Sequence, residues 1–180
     1  NPGTDLVPLQ LVNVVTYTLA ARNDLGPKTL QDVIAYAKAN PGKLSAGTPG
    51  QGTGQAVVTA LLKSLAGIDL LEVQYKNAPP VYIDMTGGRV DLFFDATGTA
   101  QSFVKSGKVR AIVTSGADRD PTLPDVPTAR ESGLRDLVME GWMGLFAPSK
   151  TPRPIVLRLR ESINKVAAAP ECRLREAVMR

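Results

Sequence analysis

The run Leu44-Ser45-Ala46-Gly47-Thr48-Pro49-Gly50-Gln51-Gly52-Thr53-Gly54-Gln55 decides how this chain is read. Leu44 to Ala46 is a short apolar run suited to a buried strand. Past Gly54 the residues Val57, Val58, Leu61, Leu62 and Leu65 recur at the spacing of one helix face, which Gly67 closes. The predicted order is therefore strand, glycine-rich turn, helix. Glycines admit positive φ and expose consecutive N–H groups, and a helix start adds partial positive charge, so such a turn can cradle a carboxylate or phosphate without a salt bridge. Thr48, Thr53 and Gln55 add side-chain donors. By itself the motif fits equally well a tight strand-to-helix turn that binds nothing.

Two familiar phosphate motifs are excluded here. Gln55 stands after the last glycine, where a P-loop needs lysine and then Ser/Thr. Gly50 and Gly52 have the spacing of the first two glycines of a dinucleotide fingerprint, but the third would fall at Gln55. The nearest following acid, Glu72, lies inside the next strand.

Outward from this turn the chain alternates. Leu6–Ala21, rich in Val, Leu and Thr, reads as one or two strands. Thr29 opens a helix with Asp32 three residues on, a capping-box variant, and Asn40-Pro41-Gly42 stops it. After the helix of the central motif come a strand over 71–75, a helix over 79–85, a strand over 90–94, a short helix over 100–105 and a strand over 109–114. Five alternations predict a parallel α/β sheet. Pro121, Pro124 and Pro127 then mark a surface connection, and a lobe boundary is expected near Ser115. A short helix over 128–132, an extended stretch over 137–146 and a long helix over 152–168 follow. Pro170 breaks that helix, and a further helical pattern runs uncapped to Arg180.

Composition narrows the chemistry. The 180 residues are 43% apolar with mean hydropathy near zero, enough for one substantial core or two small lobes. Charges such as Arg22, Asp24 and Lys38 interrupt every apolar run, so no membrane span is expected. Residues 1–5 carry neither a basic nor an apolar leader region and do not read as a signal peptide. The net charge of +4 is concentrated at one end: residues 150–180 hold eight Lys/Arg against three acids, the remainder thirteen against fourteen. Aromatic residues are not interleaved with this basic segment, so nucleic acid is not an expected partner. No histidine is present, which removes the commonest general base and metal ligand; no metal site and no cofactor are expected. Cys172 has no activating neighbour and reads as incidental.

A second constellation is Asp84, Asp91 and Asp95. Solvated or capping roles are expected of the first two. Asp95, past the carboxyl end of a strand where open α/β sheets place their ligands, is a site candidate that orients the loop or accepts a ligand hydrogen bond. Lys76 and Asn77, also at a strand's carboxyl end, and Trp142 are secondary candidates. The ordinary roles would be an exposed lysine and a core tryptophan.

The order of motifs resembles the Bug (TctC-like) solute-binding receptors of bacterial tripartite tricarboxylate transporters. The matching residues are Tyr36-Ala37-Lys38-Ala39-Asn40-Pro41-Gly42-Lys43-Leu44, Gly50-Gln51-Gly52-Thr53, Val73-Gln74-Tyr75-Lys76 and Gly87-Gly88-Arg89-Val90-Asp91-Leu92-Phe93-Phe94-Asp95. Gly107-Lys108-Val109-Arg110-Ala111, Leu123-Pro124-Asp125-Val126-Pro127-Thr128 and Gly144-Leu145-Phe146-Ala147-Pro148 continue the series. The resemblance implies a periplasmic-binding-protein type II-like α/β fold with two lobes, the first truncated: residues 1–24 part of lobe I, 25–115 lobe II, 116–180 a return to lobe I. It implies a periplasmic receptor, not an enzyme, that captures a small carboxylate for the transporter's membrane components. The ligand residues it points to are Thr48, Gly50, Gln51, Gly52, Thr53, Gln55 and Asp95. The chain departs from the family pattern at Asn77, where Gly is usual, and in lacking a histidine near Val57. Uncovered apolar surface of the truncated lobe would lead to self-association. The effector domain of a transcription regulator, or an enzyme handling an acyl or phosphoryl group with Asp95 as base, are the alternatives.

Overall fold

The computed structural model describes residues 2–168. Cys172 and the helical pattern after Pro170 lie outside the described residues. Two compact units are present, one made of the residues up to Val15 and from Gly141 onward, the other of Thr16–Glu140. They divide at 15/16 and 140/141, whereas the lobe boundaries expected above lie at 24/25 and 115/116. Among the described residues no helix is long and apolar enough to cross a membrane.

In chain order the elements are α1 (Pro2–Asp5), β1 (Leu6–Ala21), α2 (Leu30–Ala39), β2 (Ser45–Thr48), α3 (Gly54–Ala66) and β3 (Leu71–Gln74). Then follow α4 (Ala78–Thr86), β4 (Leu92–Ala96), α5 (Thr97–Lys105), β5 (Arg110–Thr114), β6 (Glu140–Pro148) and α6 (Arg153–Ala167). The larger unit holds a sheet in the order β3-β2-β4-β1-β5. β2 runs parallel to β3 and to β4, as expected of strands joined by crossover helices. β1 does not follow the expected pattern: it lies between β4 and β5, antiparallel to both, with Tyr17 opposite Ala96 and Thr18 opposite both Asp95 and Thr114. β1 is joined to β2 through α2 and yet runs opposite to it, since β2 is parallel to β4 and β1 antiparallel to β4, so a helical connection did not by itself fix the strand's direction. The sheet is mixed rather than parallel.

The helices form where their caps and apolar faces direct. Thr29 and Asp32 make the reciprocal capping box at the start of α2, whose Leu30, Val33 and Ala37 are buried. α3 buries Val58, Thr59, Leu62 and Ala66, while Val57 and Leu65 of the expected stripe are exposed. The buried row is the i, i+4, i+8 series 58-62-66, and 57 and 65 fall one residue before it. On the other side of the sheet, Val81, Tyr82 and Met85 of α4 pack with Phe93 and Ala20. There the Tyr82 ring stacks on Phe103 at 3.7 Å and meets Phe93 edge-on at 5.4 Å. Gly47 lets α4 approach β2, since a Cβ there would stand 2.4 Å from Val81 Cγ1.

The expected helix over 128–132 is a run of turns. Thr128 Oγ1 accepts from the Glu131 amide at 3.0 Å and the Glu131 carboxylate accepts from the Thr128 amide at 2.8 Å, but Gly133 at φ +89° ends the turn. Among the described residues the smaller unit buries few apolar side chains. In it β6 pairs with β1, Arg160 donates to the Pro8 carbonyl at 2.6 Å, and Ala147 and Val156 are buried.

Candidate functional site

β2 ends at Thr48, which is 1% exposed and whose Oγ1 has no hydrogen-bond partner. The chain then turns through Gly50 at φ +112° and Gly52 at φ +82°. A Cβ at either would meet nothing, so conformation rather than crowding calls for glycine there. Thr53 closes the turn: its hydroxyl donates to the Gly50 carbonyl at 2.8 Å and accepts from the Ala56 amide at 3.3 Å, capping α3. The amides of Gly54 and Gln55 have no carbonyl four residues back within the helix, so they are the donors this helix start presents. Gln51 and Gly52 are exposed, so the turn is open to solvent.

Beneath the turn lies Asp95, in β4 rather than just past it, and 2% exposed. Its Oδ1 accepts from Gln55 Nε2 at 3.3 Å and from the Ala96 amide at 2.8 Å, and its Oδ2 from the Tyr82 hydroxyl at 3.0 Å. Burial pushes its carboxyl above the ordinary aspartate range, against the opposing pull of these donors. The same burial and the neighbouring Asp95 drive the Tyr82 hydroxyl far above the ordinary phenol range. On β1, Thr18 shares a hydrogen bond of 2.9 Å with Thr97, which shares another of 2.9 Å with Thr16; Thr16 then donates to Asp120 at 3.1 Å.

Tyr17 completes this corner. A Cβ on Gly54 would stand 1.8 Å from its hydroxyl, so the phenol tip rests on the first residue of α3. The side chain is buried, and its hydroxyl makes no hydrogen bond among the described residues. Burial first, and Asp95 second, raise its pKa. Sequence reasoning missed Tyr17, Tyr82 and Thr97. The available signal was Tyr17 as the one aromatic residue in the run Leu6–Ala21.

The structure thus gathers Thr48, Gly50, Gln51, Gly52, Thr53, Gln55 and Asp95 around one turn and the strand ends beneath it. Lys76 and Asn77 are exposed after β3, Asn77 standing at the N-cap of α4 without a capping bond. Trp142 belongs to the smaller unit and is 63% exposed, not core. It lines a concavity of about 370 Å³ with Leu9, Leu11, Phe146 and Arg160. A second concavity, of about 560 Å³, is lined by Arg119, Arg130, Glu131 and Arg135; the glycine turn lines neither.

The other two carboxylates are structural. Asp84 pairs with Arg89 and accepts from the Tyr75 hydroxyl at 2.6 Å. Asp91 ties the start of β2 to Arg22, accepting from the Ser45 amide at 2.8 Å and from Arg22 Nε at 2.8 Å.

The family model described as "Tripartite tricarboxylate transporter family receptor" matches residues 1–177. Three solved structures are similar over 99% of this chain. The periplasmic binding protein BugD gives a TM-score of 0.91 at 34% identity. MatC from Rhodopseudomonas palustris with bound malate gives 0.91 at 32%. R. palustris Rpa4515 with adipate gives 0.90 at 26%. This chain covers 60%, 61% and 60% of those chains respectively, and it spans about half the length of the curated relatives it matches. The alternation of strand and helix, the glycine turn and the match over residues 1–177 together place the chain in the tripartite tricarboxylate transporter receptor family.

Proposed function

We propose that this chain carries the donor-loop part of a periplasmic solute-binding receptor, which takes a small di- or tricarboxylate for the membrane components of a tripartite tricarboxylate transporter. The observation that carries this reading is the concentration of neutral donors where β2 gives way to α3: the Gly54 and Gln55 amides at the solvent-open turn and the buried, unpartnered Thr48 Oγ1 at the strand end. Neutral donors suit a ligand that must be released again. They supply several hydrogen bonds to a carboxylate without a fixed counter-charge.

The malate and adipate bound to the two R. palustris proteins are both dicarboxylates, which supports the same ligand class here. Binding rather than catalysis is favoured because both oxygens of Asp95 are engaged by Tyr82, Gln55 and Ala96, leaving no free base beside a nucleophile. Family membership favours a transport receptor over a regulator's effector domain.

Calorimetric titration with malate, adipate and citrate, with sulfate as control, tests the reading. Saturable heats with at least one carboxylate, lost in a Gly52→Ala variant, are expected. Heats that are absent for all three acids, or unchanged in Gly52→Ala, would rule the loop out as the site.

A further inference from the structure

We propose that Tyr17 is a ligand-contact residue: its hydroxyl donates a hydrogen bond to a carboxylate oxygen held at the N-terminus of α3. This rests on the loop reading above and adds to it a residue from a different element, β1.

The pairing of β1 with β4 sets Tyr17 opposite Ala96, and strand alternation turns Tyr17 to the face away from Thr18 and Asp95. There its ring is 7% exposed, and its hydroxyl occupies the space a Gly54 side chain would fill. Packing alone would be met by phenylalanine. A phenol in this position adds an O–H at the start of α3, and, unlike the Thr48 hydroxyl, that O–H is not among the fully enclosed unpartnered polar atoms, so a ligand can reach it. Among the described residues none pairs with this hydroxyl, and Asp95, on the other face, takes its own donors from Tyr82, Gln55 and the Ala96 amide. The hydroxyl therefore stands as a spare donor at the point where the α3 amides also end unpaired. Because burial and Asp95 both raise its pKa, it stays protonated through the physiological range. Gly54 makes the arrangement possible, since any side chain there would displace the phenol.

The test uses Tyr17→Phe in the full chain, with malate and adipate as probes and Gly52→Ala as a loop control. A hydrogen bond to a charged acceptor predicts affinity lowered about tenfold to hundredfold in Tyr17→Phe. The melting temperature of the unliganded variant should be unchanged, because the hydroxyl has no partner to lose. With ¹³Cζ-tyrosine labelling, the resonance missing from Tyr17→Phe should shift saturably with malate in the parent chain, which a purely packing role would not produce. Tyr17→Phe binding at parental affinity while Gly52→Ala loses it would overturn the role of Tyr17 and leave the loop reading standing. A parent chain that answers neither acid would overturn both.

Discussion

Two side chains dominate at the scale of single residues. Asp95 is held in its folded state with its carboxyl pKa above the ordinary value of 3.8, chiefly by burial. Over the interval between the ordinary and the raised value the folded state binds more protons than the unfolded one, so this group's contribution to stability declines as pH rises through that interval. Asp95→Asn removes the ionisation and keeps one carbonyl oxygen that can accept from Tyr82. Its stability relative to the parent should therefore increase as pH is raised from about 3.8, as read by urea denaturation across the acid range. A pH-independent difference would contradict this assignment. The carboxylates of Asp84 and Glu131, whose pKa values are lowered by Arg89 and by the Thr128 amide, titrate alike in both proteins and cancel in the comparison. Gly54→Ala drives a Cβ into the Tyr17 phenol and should cost about 1–3 kcal/mol of stability by chemical denaturation. Asp95 was legible in the sequence because a carboxylate near the carboxyl end of an apolar strand is conspicuous. Tyr17 was not, since its hydroxyl gains meaning only when β1 registers against β4 and sets it over Gly54.

Among the elements, those governed by local rules were readable and those governed by pairing were not. Thr29 with Asp32 announced the start of α2, and the glycines of the central motif announced the β2 to α3 turn, because caps and positive-φ turns are written within a few residues. The direction of β1 was unreadable: its pattern of apolar and hydroxyl residues is the same whichever way it pairs. At 128–132 the capping signal was correct, yet only one turn formed, as Gly133 follows too closely for a helix to extend. The approach of α4 to β2 depends on Gly47. Gly47→Ala should destabilise by about 1–3 kcal/mol, and because the clash is with Val81 Cγ1, a second change, Val81→Ala, should cost less in the Gly47→Ala background than alone. Strict additivity in a double-mutant cycle would deny that contact. Thr53→Ala, which removes the α3 cap, should cost about 0.5–2 kcal/mol and loosen the turn that presents the amides.

On the scale of the whole molecule, the smaller unit leaves Leu11, Trp142, Met143, Ile155, Leu157 and Val166 half or more exposed among the described residues. Apolar surface of this kind is seldom left bare in solution, so the 180-residue chain should self-associate with rising concentration; a monomer at all concentrations by light scattering would contradict this. The larger unit contains the sheet, the glycine turn and every residue of the donor cluster, and the account depends on that cluster being where the carboxylate sits. A titration of ¹⁵N-labelled chain with malate, followed by amide resonances, tests this most directly. The expected result is a saturable shift of the Gly50 to Gln55 amides, largest at Gly54 and Gln55. Malate binding that leaves those amides unmoved, and shifts instead the residues around Arg119, Arg130 and Arg135, would contradict it.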